Sequence, residues 1–278
     1  MVDHLALMVA PNGARKTPAD HPNLPITPDA IAAEAVACRT AGVQALHLHV
    51  RDDAGRHTLD AERYLAATSA VRRAAGADIV IQITTEAVGI FKPHEQMAAV
   101  RAVVPEAVSI APKELIPDPG AEAVAAEFYG WAHRQRIAVQ HIVYAAAEFD
   151  WLIDLIGRGV VPGTRHSVIF PLGRYATDQE SDPAELAPFV ARVREQGGAA
   201  RFDWWVCAFG QAETAALVGA AALGGHCRVG FENSFFNADG SRAGSNAERV
   251  ANVQAAVSGL RRPPATRVET LRLLGRPD

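Results

Sequence analysis

Short apolar runs rich in β-branched and aromatic residues alternate with alanine-rich helical patterns along the whole chain, and this alternation restricts the fold more than any other feature. Candidate strands lie at 5–9, 45–49, 79–83, 107–110, 137–143, 168–170, 204–208 and 227–231. A helical pattern follows each, at 28–41, 60–75, 93–103, 120–135, 147–158, 182–196, 211–223 and 246–260. Repeated strand–helix units demand a parallel sheet with helices outside it. Eight such units in 278 residues leave no room for a second domain. The expected fold is therefore α/β, a single-domain (β/α)8 TIM barrel, with a doubly wound open sheet as the alternative. Thr27-Pro28 and Gly42 bracket the first helix as cap, first-turn proline and stop. The segment 11–26 is the longest irregular stretch and follows the first strand, so it is expected to reach over the active end of the barrel. The extension 261–278 carries Pro263-Pro264 and a leucine-rich stretch, which would pack under the barrel or on a neighbouring subunit.

Composition excludes several functions. Lys+Arg 27 against Asp+Glu 31 gives a net charge of −4, which argues against nucleic acid as a partner. A hydrophobic share of 49% supports a large core and rules out wholesale disorder. Cys38, Cys207 and Cys227 are too sparse for a disulfide scaffold or a thiolate zinc site. The amino terminus lacks the basic and apolar regions of a secretion signal. The longest apolar stretch, 215–223, is roughly half of what a bilayer crossing needs. A cytoplasmic protein with no membrane partner is expected.

The chemistry is concentrated in Ala45-Leu46-His47-Leu48-His49-Val50-Arg51-Asp52. Residues i and i+2 of a strand face the same way, so His47 and His49 share the barrel interior. Two imidazoles near the carboxyl end of a barrel strand suit one divalent metal, and equally suit a hydrogen-bonded pair. A third ligand is needed. Glu232 follows the eighth strand and lies across the same mouth; it is the best candidate, and pairing with Arg228 or Arg51 is an equally good reading of that carboxylate. Thr84, Thr85 and Glu86 end the third strand, and His141 and Tyr144 the fifth. Asn12, Arg15, Lys16 and His21 lie in the first long loop, where a basic pair holds an anion or is simply solvated. Lys113 beside Glu114 reads as a surface ion pair, and phosphate-loop, nucleophile-elbow and dinucleotide fingerprints are absent.

Four segments together resemble the β-keto acid cleavage enzymes, typified by the 3-keto-5-aminohexanoate cleavage enzyme. They are Leu24-Pro25-Ile26-Thr27-Pro28, His47 to Asp52, Gln82-Ile83-Thr84-Thr85, and Gly224 to Asn233. The resemblance implies a zinc-dependent barrel, usually a homo-oligomer (tetramer or dimer), with Zn2+ on His47, His49 and Glu232. It implies that a β-keto acid and acetyl-CoA, the co-substrate, yield acetoacetate and a new acyl-CoA by a retro-Claisen-type exchange. Thr84 matches a family serine that touches substrate, and Arg228 a family arginine tied to the catalytic acid. Thr85, Arg15 and His141 are the further candidates for substrate contact; His141 falls near a strand-five glutamate of other members.

Two departures stand out. The family commonly has Glu-Asp-Asn where this chain has Glu232-Asn233-Ser234, and Asn233 cannot perform the aspartate's proton transfer. Many members have Thr-Gly-Gly where this chain has Thr85-Glu86-Ala87. Glu86 is thus expected either to replace the lost base or to bind a cationic substrate group. The lost aspartate keeps two other classes open: a zinc-dependent aldolase or hydrolase of a β-keto compound without CoA, and a non-catalytic small-molecule binder on a barrel scaffold.

Overall fold

The computed structural model describes residues 3–277. Its strands are β1 (Leu7–Val9), β2 (Ala45–Leu48), β3 (Val50–Arg51), β4 (His57–Thr58), β5 (Val80–Thr84), β6 (Ala107–Ile110), β7 (Ala138–Ile142), β8 (His166–Leu172), β9 (Phe202–Ala208) and β10 (His226–Val229). Eight of them close a parallel barrel in the order β1-β10-β9-β8-β7-β6-β5-β2. The helices are α1 (Pro28–Ala41), α2 (Ala61–Ala75), α3 (Pro93–Val103), α4 (Pro112–Leu115), α5 (Glu122–Arg134), α6 (Ala146–Gly157), α7 (Leu186–Glu195), α8 (Glu213–Ala222), α9 (Asn246–Val257) and α10 (Arg267–Leu273). The closed barrel replaces the open sheet as the arrangement of these units.

Local chemistry accounts for the element ends. Thr27 Oγ1 accepts from the Ala30 amide at 3.2 Å, Pro28 opens α1, and Gly42 ends it in the left-handed region. Strand alternation then divides the core in two. Leu46, Leu48 and Val50 face outward into one layer with Tyr64 and Val71 of α2. Met8, Ala45, Val80, Ala107, Ala138 and Trp205 face inward. The small alanines narrow the barrel and let Trp205 fill it.

Several features lie outside the eight expected strand–helix units. β3 and β4 pair as an antiparallel hairpin immediately after the two histidines. The eighth barrel strand stops at Val229, two residues earlier than the apolar pattern suggests. At Gly230 (φ +139) a Cβ would stand 2.5 Å from the Ala10 carbonyl oxygen, so the chain can turn there only as glycine. The C-terminal extension holds α10 and plugs the amino-terminal end of the barrel. Leu271, Leu273 and Leu274 join the inner core, and Trp205 Nε1 donates to the Leu273 carbonyl at 2.9 Å. Each buried leucine contributes roughly 1.5–3 kcal/mol. With that end covered, the barrel interior opens at the carboxyl ends of the strands.

Candidate metal centre

His47 and His49 leave β2 on its inner face, and Glu232 meets them from the turn that follows Gly230. The two Nε2 atoms lie 3.1 Å apart. Glu232 Oε2 is 3.6 Å from His47 Nε2 and 3.3 Å from His49 Nε2. A tetrahedral ion with bonds of about 2.0–2.1 Å separates its ligand atoms by about 3.3 Å. The three donors therefore already stand at the edge lengths of one coordination tetrahedron. Glu232 Oε2 is buried without a hydrogen-bond partner, which is the orphan a cation would satisfy.

Electrostatics prepare the same donors. Burial drives His47 down to about 3, so its ring is neutral and its lone pair free. Burial also opposes ionisation of Glu232, but Arg228, His49 and His47 outweigh it and hold the carboxyl well below the usual range. A neutral imidazole beside an ionised carboxylate suits a divalent cation.

The surroundings fix these groups in place. Gln82 Oε1 accepts from His47 Nδ1 at 2.8 Å, which leaves Nε2 as the unprotonated nitrogen. Gln82 is oriented in turn by Gln140 at 3.1 Å, and Gln140 by Ser167 at 3.2 Å, so a chain of amides crosses the barrel beneath the site. Gln82 is the functional residue that sequence reasoning passed over. It pairs with His47 in the β2–β5 register and shares an inward face with Thr84, which was sufficient to find it. Gln82→Leu is expected to lower divalent-metal affinity roughly tenfold to a hundredfold, measured by competition against a chelator; unchanged affinity would exclude this orienting role.

Glu232 is held from its own turn. Gly230 N donates to Glu213 Oε1 at 3.2 Å, and Phe231 N to Asn246 Oδ1 at 2.7 Å. Glu213 is itself paired with the fully buried Arg249 at 2.5 Å. Arg228 donates to Glu232 Oε1 at 3.1 Å and to Cys207 Sγ at 3.1 Å. The first long loop closes over this turn. Arg51 donates to the carbonyls of Gly13, at 2.5 Å, and Lys16, at 2.9 Å. Gly13 (φ +63) then packs so closely that a Cβ would lie 2.7 Å from Glu232 Cγ. Lys16 donates to the Phe231 carbonyl at 2.7 Å, and burial lowers its ammonium to about 8 against the opposing pull of Glu213 and Glu232.

The metal triad lines a pocket at the barrel mouth together with Thr84, Glu86, Tyr144, Arg174 and Arg228. Thr84 Oγ1 accepts from the Glu86 amide at 3.1 Å and so shapes the turn that presents Glu86. Arg15 reaches Glu86 Oε1 at 2.8 Å from the first loop, and Arg174 NH2 stands 3.6 Å from the same oxygen. Glu86 is thus occupied by two guanidiniums, which disfavours its use for a cationic substrate group.

Two expected substrate contacts, His141 and Thr85, and the catalytic candidate Asn233 lie elsewhere. His141 faces outward, because its neighbours Gln140 and Ile142 take the inward positions of β7; its ring packs against Tyr129 at 5.6 Å. Thr85 follows the inward Thr84, turns away, and donates to the Ser109 carbonyl at 3.3 Å. Asn233 lies in the Glu232 turn with both amide atoms buried and unpartnered, and does not line the cavity. In the first loop, Asn12 Nδ2 donates to the Pro25 carbonyl at 2.9 Å and His21 bonds the Ala243 carbonyl at 2.9 Å, both bracing loops. Lys113 pairs with Glu148 at 2.9 Å over the Tyr144 ring.

A closed (β/α)8 barrel with two histidines and a carboxylate converging at its carboxyl-end mouth defines a barrel protein with a candidate divalent-metal site. Comparison with known proteins narrows this. A family-level match to the beta-keto acid cleavage enzymes covers residues 4–275, so the chain belongs to that family and is an enzyme. It is 27% identical to the 3-keto-5-aminohexanoate cleavage enzyme of Acetoanaerobium sticklandii, over 99% of both chains. It is 26% identical to the 3-oxoadipate:acetyl-CoA acetyltransferase of Cupriavidus necator, over 100% of this chain and 97% of that one. The fold is shared with the apo structure of ObcA at a TM-score of 0.72 and 19% identity, covering 92% of this chain and 66% of that one. Among the described residues no helix is long and apolar enough to cross a membrane.

Proposed function

We propose that this enzyme exchanges acyl groups between a β-keto acid and acetyl-CoA, giving acetoacetate and a new acyl-CoA, with zinc held by His47, His49 and Glu232. The observation that carries the reading is the tetrahedral spacing of those three donors in a family whose relatives are named for β-keto acid cleavage and acetyl-CoA transfer. Zinc, when bound, supplies Lewis-acid polarisation of the keto oxygen beside the substrate carboxylate.

The remaining work falls to the protein. Glu86 is the cavity carboxylate that is not a metal ligand, and we assign it the proton on the carbon between the keto and carboxyl groups. The carbanion attacks the acetyl-CoA carbonyl and expels the CoA thiolate. The thiolate then adds to the original keto carbon. Cleavage of the old carbon–carbon bond leaves the new acyl-CoA, and the departing carbon takes the proton back as acetoacetate. Arg228, buried at 4% exposure beside Glu232, adds fixed positive charge where enolate charge develops. Thr84 positions Glu86 through its amide. The three free cysteines are buried, which fits a reducing, cytoplasmic setting.

The test is incubation of zinc-loaded enzyme with acetyl-CoA and a panel of β-keto acids. Acetoacetate and a new acyl-CoA should form together, in equal amounts, and neither should form with Glu232→Ala. Cleavage that proceeds equally well without acetyl-CoA would overturn the exchange and favour an aldolase or hydrolase.

A further inference from the structure

Arg174 is the charged side chain of the cavity that the reaction above leaves unused. It lies in the loop after β8, and its side chain is only 16% exposed. Its nearest carboxylate oxygen, Glu86 Oε1, stands 3.6 Å away, beyond hydrogen-bond length. That oxygen already accepts from Arg15 NH1 at 2.8 Å. Two guanidiniums therefore share one carboxylate, and the more buried of them is the less satisfied. A guanidinium held in a cavity with donors to spare is a ready partner for an anion.

The position of Arg174 says what that anion is attached to. Its guanidinium is flanked by the rings of Phe209 at 5.5 Å and Tyr175 at 5.7 Å, which restrict its plane. It lines the same cavity as the metal triad, with Ile142, Pro171, Tyr144 and Phe209 as the largely apolar wall. It also lines a neighbouring pocket bordered by Arg15 and Lys16. A ligand with one polar end on the metal centre and its chain along the apolar wall would bring its other end to Arg174. A planar fork of donors is matched by a carboxylate, which it can hold through two hydrogen bonds.

We propose that Arg174, assisted by Arg15, is a subsite for a second carboxylate, so that the β-keto acid is a diacid. The assignment rests on the acyl-exchange reading for which end of the substrate faces the metal. A cation-ended substrate would instead meet two arginines around a carboxylate that is already taken. The incoming carboxylate competes with Glu86 for the same donors, so its binding frees the Glu86 oxygen that the proton transfer uses.

Equilibrium binding to the zinc-loaded enzyme without acetyl-CoA tests this separately from turnover. The probes are 3-oxoadipate and 3-oxohexanoate, which share a carbon count and a chelating end and differ in the terminal carboxylate. The diacid should bind roughly tenfold to a hundredfold more tightly, the range expected for hydrogen bonds between charged groups. Arg174→Met should bring the two acids to within about threefold of each other, with Arg174→Lys, which keeps the charge but not the fork, in between. Zinc content and thermal midpoint of each variant show that the site is still assembled. Should Arg174→Met fail to fold or load zinc, the comparison of wild type with Arg174→Lys decides. Equal affinity of the wild type for both acids would overturn the proposal. So would a preference that survives loss of the guanidinium. If no β-keto acid is exchanged but the diacid preference and its dependence on Arg174 hold, the exchange reading fails and the subsite stands.

Discussion

Glu232→Gln is expected to give a folded barrel that no longer retains a divalent cation. The amide oxygen can still accept from Arg228, which stands 3.1 Å from Glu232 Oε1, so the buried guanidinium keeps an acceptor. The amide nitrogen takes the place of Oε2 and can donate toward the nearby imidazole nitrogens, 3.3 and 3.6 Å away in the wild type. The variant therefore exchanges an anionic ligand for a donor that repels a cation. Loss of an outer partner typically costs 10–100-fold in metal affinity, and loss of an anionic ligand should exceed roughly a hundredfold.

Stability provides an independent readout. Zinc at about a hundred times its Kd stabilises the native state by about 2.7 kcal/mol, which for a domain of this size is on the order of 5–10 °C in Tm. The wild type should show that rise on adding zinc and the variant should not, while their metal-free Tm values stay close. A variant that binds zinc as tightly as the wild type would remove Glu232 from the ligand set.

The positions of these donors were largely legible in the sequence. Period-two alternation placed His47 and His49 inside the barrel, and the outward packing of Leu46, Leu48 and Val50 bears that out. The helices at 28–41 and 93–103 and the strand at 107–110 begin and end where propensity, capping and proline placement put them. His141 was a candidate only through its place near a strand-five glutamate of the family; in β7 the inner face belongs to Gln140, which bonds Gln82 and Ser167. Glu232 follows the eighth strand as expected, and it is delivered by a turn that only a glycine at 230 permits.

What escaped the sequence was everything set by non-local contact. Arg174 lies in an irregular loop with no period to follow, and its partner Glu86 is 88 positions earlier in the chain. The bracing of Glu232 by Glu213, Arg249 and Asn246 joins the start of α8 to the start of α9 and has no local signature.

Glu86→Gln should separate binding from chemistry. If Glu86 moves the proton, the amide lowers kcat by roughly 10²–10⁴, the usual contribution of a positioned general base. Zinc content should not change, since the ligands are His47, His49 and Glu232 and Glu86 lies outside that triad. Binding should move the other way. Glu86 is the anion that Arg15 and Arg174 hold in the free enzyme, and an uncharged glutamine competes for them less well. An acid with a second carboxylate should thus bind the variant at least as tightly as the wild type while turning over far more slowly. A merely structural role would lower kcat and weaken binding together, through disorder of the two arginines. Full turnover in the variant would exclude Glu86 as the base. A fall in affinity as large as the fall in kcat would make Glu86 an anchor for the guanidiniums rather than a proton acceptor.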